Sequence, residues 1–214
     1  MDKRILWWLM LLWLVSCTSS EIKIGLRPYN EFSSSLTDTL VKSLQNTYNA
    51  TVIILPERQL PVKAFVEIKT PRYRADSLLV DLKVSMPENL DYILGLTHAD
   101  ISTTKRDKTG KILKPVSKYT DWGVFGLGYR PGPSSVVSTY RLQSPDYAVF
   151  ISRFKKVCIH EVGHNLGLKH CPTPGCVMMD AVEKIQTVDS AGYELCEKCL
   201  RIIHRPSIFG KINY

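Results

Sequence analysis

From Glu21 onward Ile22, Ile24 and Leu26 alternate with Lys23 and Gly25, the two-residue period of a strand, and Pro28 ends the run. Ser33 to Ser35 can cap a helix whose core-facing stripe is Leu36, Leu40, Val41, Leu44 and Tyr48. Residues 51–55 form a β-branched run closed by Pro56 and read as a buried second strand, so the chain opens β-α-β. Pro61 and Pro71 punctuate the next segment, in which residues 64–68 predict a short strand. Ser77, Leu78, Leu79, Leu82 and Met86 fit a second amphipathic helix that stops before Pro87, and residues 91–97 make an almost wholly apolar strand. Strand and helix alternating in this way predict an α/β fold with a mixed, mostly parallel sheet and covering helices.

The second half is organised differently. Residues 102–118 are polar and Lys-rich, with Gly110 and Pro115, and predict a surface loop. Residues 122–129 and 135–142 are strand-like runs joined by Arg130-Pro131-Gly132-Pro133-Ser134, which predicts a hairpin. Such a hairpin is either an ordinary antiparallel edge or an edge strand above a cleft, to which an extended peptide adds main-chain hydrogen bonds. Pro145 or Asp146 begins a long helix in which Phe150, Phe154, Val157 and Cys158 form the buried stripe while Arg153, Lys155 and Lys156 face solvent. Cys158 reads as a small core residue. A last helix is expected over about residues 191–204, with Cys196 and Cys199 at i and i+3 on one face.

The 214 residues are 44% hydrophobic and 22% charged, enough to bury a core, and no internal repeat is visible, so residues 22–214 are expected to form one domain and a monomer. The net charge is +8, yet Lys and Arg are scattered and no basic helix or ribbon interleaved with aromatics occurs. A solvated basic surface and no nucleic-acid partner are expected.

Residues 1–17 stand apart from the fold. Lys3 and Arg4 precede an apolar run of eleven residues from Ile5 to Val15, too short for the ~20 residues that span a bilayer. The run ends in Leu14-Val15-Ser16-Cys17, and the whole segment resembles a bacterial lipoprotein signal with its lipobox. That resemblance implies lipidation of Cys17, residues 18–21 as a short tether, and an exported protein anchored in the cell envelope. Thr18, in place of an aspartate after the cysteine, points to the outer membrane in a Gram-negative cell; the alternatives are an ordinary secretory signal or an uncleaved anchor.

The chemistry is concentrated in His160-Glu161-Val162-Gly163-His164-Asn165-Leu166-Gly167-Leu168-Lys169-His170-Cys171. On a helix His160 and His164 project from one face a turn apart and can grip one metal, with Glu161 beside it. Gly167 can take positive φ, end the helix and let the chain return with His170 as a third ligand. Three neutral imidazoles leave the fourth position of a tetrahedral zinc open, the arrangement of a catalytic site. Zinc so held activates water, with Glu161 as the base that takes its proton and passes it to a departing amine. His98 and His204 read instead as histidines satisfied by hydrogen bonds.

Four further cysteines, Cys171, Cys176, Cys196 and Cys199, are spaced C-x4-C and C-x2-C with nineteen residues between the pairs. The spacing suits a four-thiolate zinc site, whereas the export signal suits disulfides; both readings stand on spacing alone.

From His160 to Cys199 the pattern H-E-x-x-H-x-x-G-x-x-H-C-x4-C-x-M-x17-C-x2-C resembles the archaemetzincins, a branch of the metzincin zinc proteases. Residues 22–203 are similar to the family more loosely, and the lipoprotein-like leader departs from it. The resemblance implies a metzincin-like fold with an active-site helix, a helical lower subdomain, and a cleft between residues 22–142 above and 143–214 below. It also implies two zinc ions per chain. His160, His164 and His170 would hold the catalytic zinc, with Glu161 as general base, and Cys171, Cys176, Cys196 and Cys199 would hold a structural zinc. Met178, or Met179 in a slipped register, would form the methionine turn beneath the imidazoles. The implied activity is hydrolysis of peptide or protein substrates. The alternatives are an aminopeptidase limited to short peptides and a zinc-dependent binding protein without turnover, and retention of Glu161 argues against the latter.

Overall fold

The structure is a computed structural model and describes residues 21–180 and 184–203. Residues 1–17, on which the leader and the lipidation of Cys17 are expected, and His204 lie outside the described residues. In chain order the elements are β1 (Ile22–Pro28), α1 (Ser34–Tyr48), β2 (Ala50–Ile54), β3 (Phe65–Glu67), β4 (Pro71–Arg74), α2 (Ala75–Val84), β5 (Tyr92–Thr97) and β6 (Ile101–Thr103). There follow α3 (Val116–Tyr119), β7 (Trp122–Val124), β8 (Gly126–Gly128), β9 (Ser134–Ser138), α4 (Tyr147–Asn165), α5 (Ile185–Ser190) and α6 (Glu197–Ile203).

Five strands form the main sheet in the order β2-β1-β5-β9-β8. The first three pairings are parallel and the last, β8 on β9, is antiparallel, so the mixed, mostly parallel sheet expected from the alternation of elements is present. Successive residues of β5 divide the two faces between them, as the pleat requires. Leu94 and Leu96 face a core built with α1 and α4, where Leu40, Leu44 and Tyr48 meet Phe154, Val157 and Cys158. Ile93 faces a second core in which Leu78, Leu79 and Leu82 of α2 pack with Tyr29 and Val136. Helices on both faces explain why β1 is buried from Ile24 to Pro28 rather than on alternate residues only. The pattern of α1 holds, and Ser33 caps it by accepting a hydrogen bond from Leu36 N–H.

Several expectations need correction. The second strand is not buried: β2 sits at the sheet edge, paired only with β1, and Ile54 is 47% exposed. A second sheet, β3-β4-β6-β7, was not anticipated. Its strands are only three or four residues long, too short to show a period, and charges hold it in place. Arg72 bonds Asp100 at 2.8 Å and Asp121 at 3.1 Å, while Arg141 grips Asp100 at 2.7 Å from the other side. That sheet claims β6 at the start of the expected loop, and α3 lies near the loop's end. It also splits the run 122–129, because β7 pairs with β6 whereas β8 turns at Phe125 to pair with β9. β9 stops at Ser138, where the chain turns and Arg141 reaches Asp100.

The last helix is also shorter than expected. The backbone of Gly192 bonds Gly175 and that of Glu194 bonds Val177, so these residues are paired across to another segment and cannot continue a helix. Cys196 therefore precedes α6, and only Cys199 lies within it.

Candidate active site

Asp146 caps α4 by accepting from Ala148 N–H, and nineteen residues later the helix ends where the motif requires. Gly167 has φ +89°. Its N–H bonds His164 O and the N–H of Leu168 bonds Gly163 O, each at 2.9 Å. This is the paired closure that satisfies the last carbonyls of a helix and reverses the chain. The reversal brings His170 back, its ring 5.3 Å from that of His160 and 5.0 Å from that of His164, which are 4.6 Å apart. One nitrogen from each of the three lies within 4.8 Å of the others.

The tautomers follow from the backbone. His160 Nδ1 is 2.9 Å from Val177 O and His164 Nδ1 is 2.8 Å from Leu168 O. A carbonyl oxygen only accepts, so each Nδ1 carries the proton and each Nε2 keeps its lone pair. Burial also depresses the imidazoles, to about 3 for His160 and about 4 for His164, and lowers His170 as well. They are thus neutral at pH 7, the form a metal needs. Three neutral imidazoles, two of them oriented by backbone carbonyls, are a donor set that fits zinc.

Glu161 points into the same cleft from the next position of the helix, and burial pushes its carboxyl up to about 8. β8 crosses directly against it. A Cβ on Gly126 would stand 2.8 Å from Glu161 Oε1, and one on Gly128 would stand 2.9 Å from Glu161 O. Only glycine lets the edge strand come so close. Met178, fully buried, lies under the helix: its Sδ is 2.5 Å from where a Cβ on Gly163 would be. Met179 is only partly buried and packs at the rim of that core.

The four cysteines beyond the third histidine converge. Cys171 Sγ is 3.6 Å from Cys196 Sγ, and Cys176 Sγ is 3.8 Å from Cys199 Sγ. Four thiolates at ~2.3 Å from one zinc lie about 3.8 Å apart, whereas a disulfide draws its sulfurs to about 2.05 Å. The donor set fits zinc. Against the upward push of burial, the N–H of Cys199, the Thr173 hydroxyl and the neighbouring thiols bring Cys196 down to about 6. The cluster is built onto the histidine site, since Cys171 follows His170 and its N–H bonds Met178 O at 2.7 Å.

The cleft holds about 350 Å³ and is lined from above by Thr103, Phe125, Gly126 and Leu127 and from below by Val157, Val177 and Val188, with the histidines and Glu161 between them.

A sequence profile described as peptidase family M54 matches residues 20–205. The chain belongs to peptidase family M54. It is similar to the archaemetzincin of Haloquadratum walsbyi, with 29% identity over 192 residues covering 85% of this chain and 99% of the relative. The archaemetzincin of Saccharolobus solfataricus is 29% identical over 195 residues, covering 88% and 96%. Among solved structures, archaemetzincin from Methanopyrus kandleri superposes with a TM-score of 0.71 at 27% identity, covering 88% of this chain and 97% of that one. Archaemetzincin from Archaeoglobus fulgidus, complexed with malonate, gives 0.67 at 28% identity, covering 85% and 99%. Membership of the M54 family, with these relatives, makes the chain a zinc metalloprotease of archaemetzincin type.

Within this M54 chain His98 is satisfied as the sequence suggested, with Nδ1 2.7 Å from the Thr139 hydroxyl and its ring stacked on Phe32. Four residues in or beside the cleft were not singled out from the sequence. The glycines at 126 and 128, alternating in a strand, were a legible sign of close backbone approach. Asn165, an unspecified position of the motif, donates to Tyr129 O at 3.1 Å and Ser134 O at 2.8 Å and so pins the hairpin loop to the end of α4. Lys156, assigned to solvent, is buried and lines the cleft, donating to Val188 O at 3.2 Å and Asp189 O at 3.1 Å. Those carbonyls end α5 and lack helical partners, which draws the ammonium inward.

Proposed function

We propose that the chain hydrolyses peptide bonds with a zinc ion held by His160, His164 and His170 and with Glu161 as general base. A second zinc, held by Cys171, Cys176, Cys196 and Cys199, braces the third histidine. Zinc in the histidine site supplies a Lewis acid that activates water and polarises the substrate carbonyl. Glu161 accepts the proton of the attacking water and delivers it to the departing amine. Burial alone keeps this carboxyl protonated at neutral pH, while a divalent cation beside it favours the carboxylate, so its role as base depends on metal being bound. β8 is the terminal strand of the main sheet, and its main chain offers an extended peptide hydrogen bonds while Gly126 and Gly128 keep Glu161 within reach. Met178 supports the histidine-bearing turn from below.

The observation that carries this reading is that three neutral, convergent imidazoles and a carboxyl share one cleft beneath an edge strand. Glu161→Ala should lower peptide hydrolysis by about a hundredfold or more while the zinc content stays unchanged. Undiminished turnover would remove Glu161 from its role.

We further propose that the enzyme is exported and held to a membrane through lipid on Cys17. The family match begins at residue 20, after that cysteine. Labelling with a radioactive fatty acid should mark the wild type and not Cys17→Ala; equal labelling would refute the anchor.

A further inference from the structure

Lys156 stands one turn before His160 on α4 and opens into the same cleft. It is 7% exposed, a degree of burial at which an ammonium is normally paired with a carboxylate. Its described partners are two carbonyl oxygens and the face of Tyr193, 5.0 Å away. The nearby Asp189 is already engaged by Arg153, through Nε at 2.6 Å and Nη2 at 2.7 Å. Two of the three ammonium protons are used on the carbonyls, and the Asp189 carboxylate, although hydrogen-bonded to Arg153, also feels the Lys156 charge, so one donor and a partly compensated positive charge remain on a residue that lines the cleft. Around it the lining is apolar, from Val124, Val157, Val177, Val188 and Ala191. Of the other charged groups that line the cleft, Lys105 and Arg130 are cations and Glu161 is the one carboxyl among the described residues.

We infer that Lys156 is a specificity-determining residue: the cleft takes peptides that place an acidic side chain, glutamate or aspartate, in the pocket between α4 and α5, where its carboxylate meets the Lys156 ammonium. This rests on the proposed peptidase reading of the site. Apolar walls would receive the methylenes of the side chain, and exclusion of water would strengthen the ion pair at their end. The cationic cleft would also draw acidic peptides towards it.

The test is equilibrium binding to the zinc-loaded Glu161→Ala protein. The probes are N-acetylated, C-amidated hexapeptides, identical except for Glu or Gln at one position moved along the chain. The side chain is then the only acid in the probe. At one position the Glu peptide should bind tighter than its Gln twin by at least about tenfold. Lys156→Met should bring that ratio close to one, Lys156→Arg should restore most of it, and Lys156→Glu should invert it in favour of a Lys-bearing peptide. If Lys156→Met does not fold, judged by zinc content and melting, Lys156→Gln takes its place. A lysine that serves only to cap α5 would alter stability without a preference that follows the charge at position 156. A ratio near one at every position, or failure of all the peptides to bind, overturns the inference. So does a preference that survives Lys156→Met, since the carboxylate is then held elsewhere. Hydrolysis by the wild type is read separately. Cleavage without preference sinks the acidic pocket and leaves the peptidase; a Lys156-dependent preference without cleavage does the reverse.

Discussion

At the scale of single residues, the site depends on groups that water would normally keep charged or mobile. Burial makes the imidazoles neutral and the backbone orients His160 and His164, so the fold itself presents these donors in the form a metal needs. The ion pair of Arg153 with Asp189 shows the opposite effect. The hydrogen bonds from Arg153 hold the Asp189 carboxyl below its ordinary value of 3.8. A carboxylate depressed in the folded state contributes stability that is complete above its unfolded pKa and is lost as the pH falls through the folded one. The advantage of the wild type over Asp189→Asn, followed by thermal melts, should therefore be constant above pH 3.8 and shrink below it. An advantage that persisted to the acid limit would show that the ion pair is not its source.

At the scale of elements, α4 and its ending decide the geometry. The turn at Gly167 converts a helix with two histidines into a site with three, and it does so through a backbone conformation that other residues adopt at a cost. Gly167→Ala should destabilise the fold by about 1–2 kcal/mol. It should also weaken zinc retention, because His170 lies beyond the turn; titration with a chelator would measure this. If zinc affinity were unchanged, His170 would be positioned by the Cys171 cluster alone. The hairpin is the matching element from above. Asn165 ties its loop to the same helix end, so β8 and the histidines are located by one structure.

At the scale of the whole molecule, two apolar cores on opposite faces of one sheet hold the site, and the four cysteines gather at the edge of the first of them, where it takes in α6. Cys171 and Cys176 follow the histidines, whereas Cys196 and Cys199 flank the start of α6, so a metal among them would clamp two segments that the Gly192–Gly175 and Val177–Glu194 backbone bonds already bring together. The purified chain should contain two zinc ions. Cys196→Ser should contain one and lose at least ~3 kcal/mol of stability, a part of the ~10–16 kcal/mol that structural zinc supplies to small folds. One zinc in the wild type, with four oxidised cysteines, would overturn the second site.

The features decided by local spacing were legible in the sequence. Helical periodicity located α1, α2 and α4, the interval of four residues placed His160 beside His164, and Gly167 announced the turn, because each depends on the backbone geometry of a few neighbours. What the sequence could not disclose came from partners remote along the chain. β2 is an edge because no described strand pairs beyond it, and the small sheet exists because Asp100 and Asp121 gather arginines from two segments remote from each other in the chain. Cys196 left its expected helix because Gly192 and Glu194 bond to another strand of chain. Lys156 shows the division most clearly. Its side chain alone favours water, and only the tertiary structure, by ending α5 above it with two unpaired carbonyls, turned a surface lysine into the wall of the cleft.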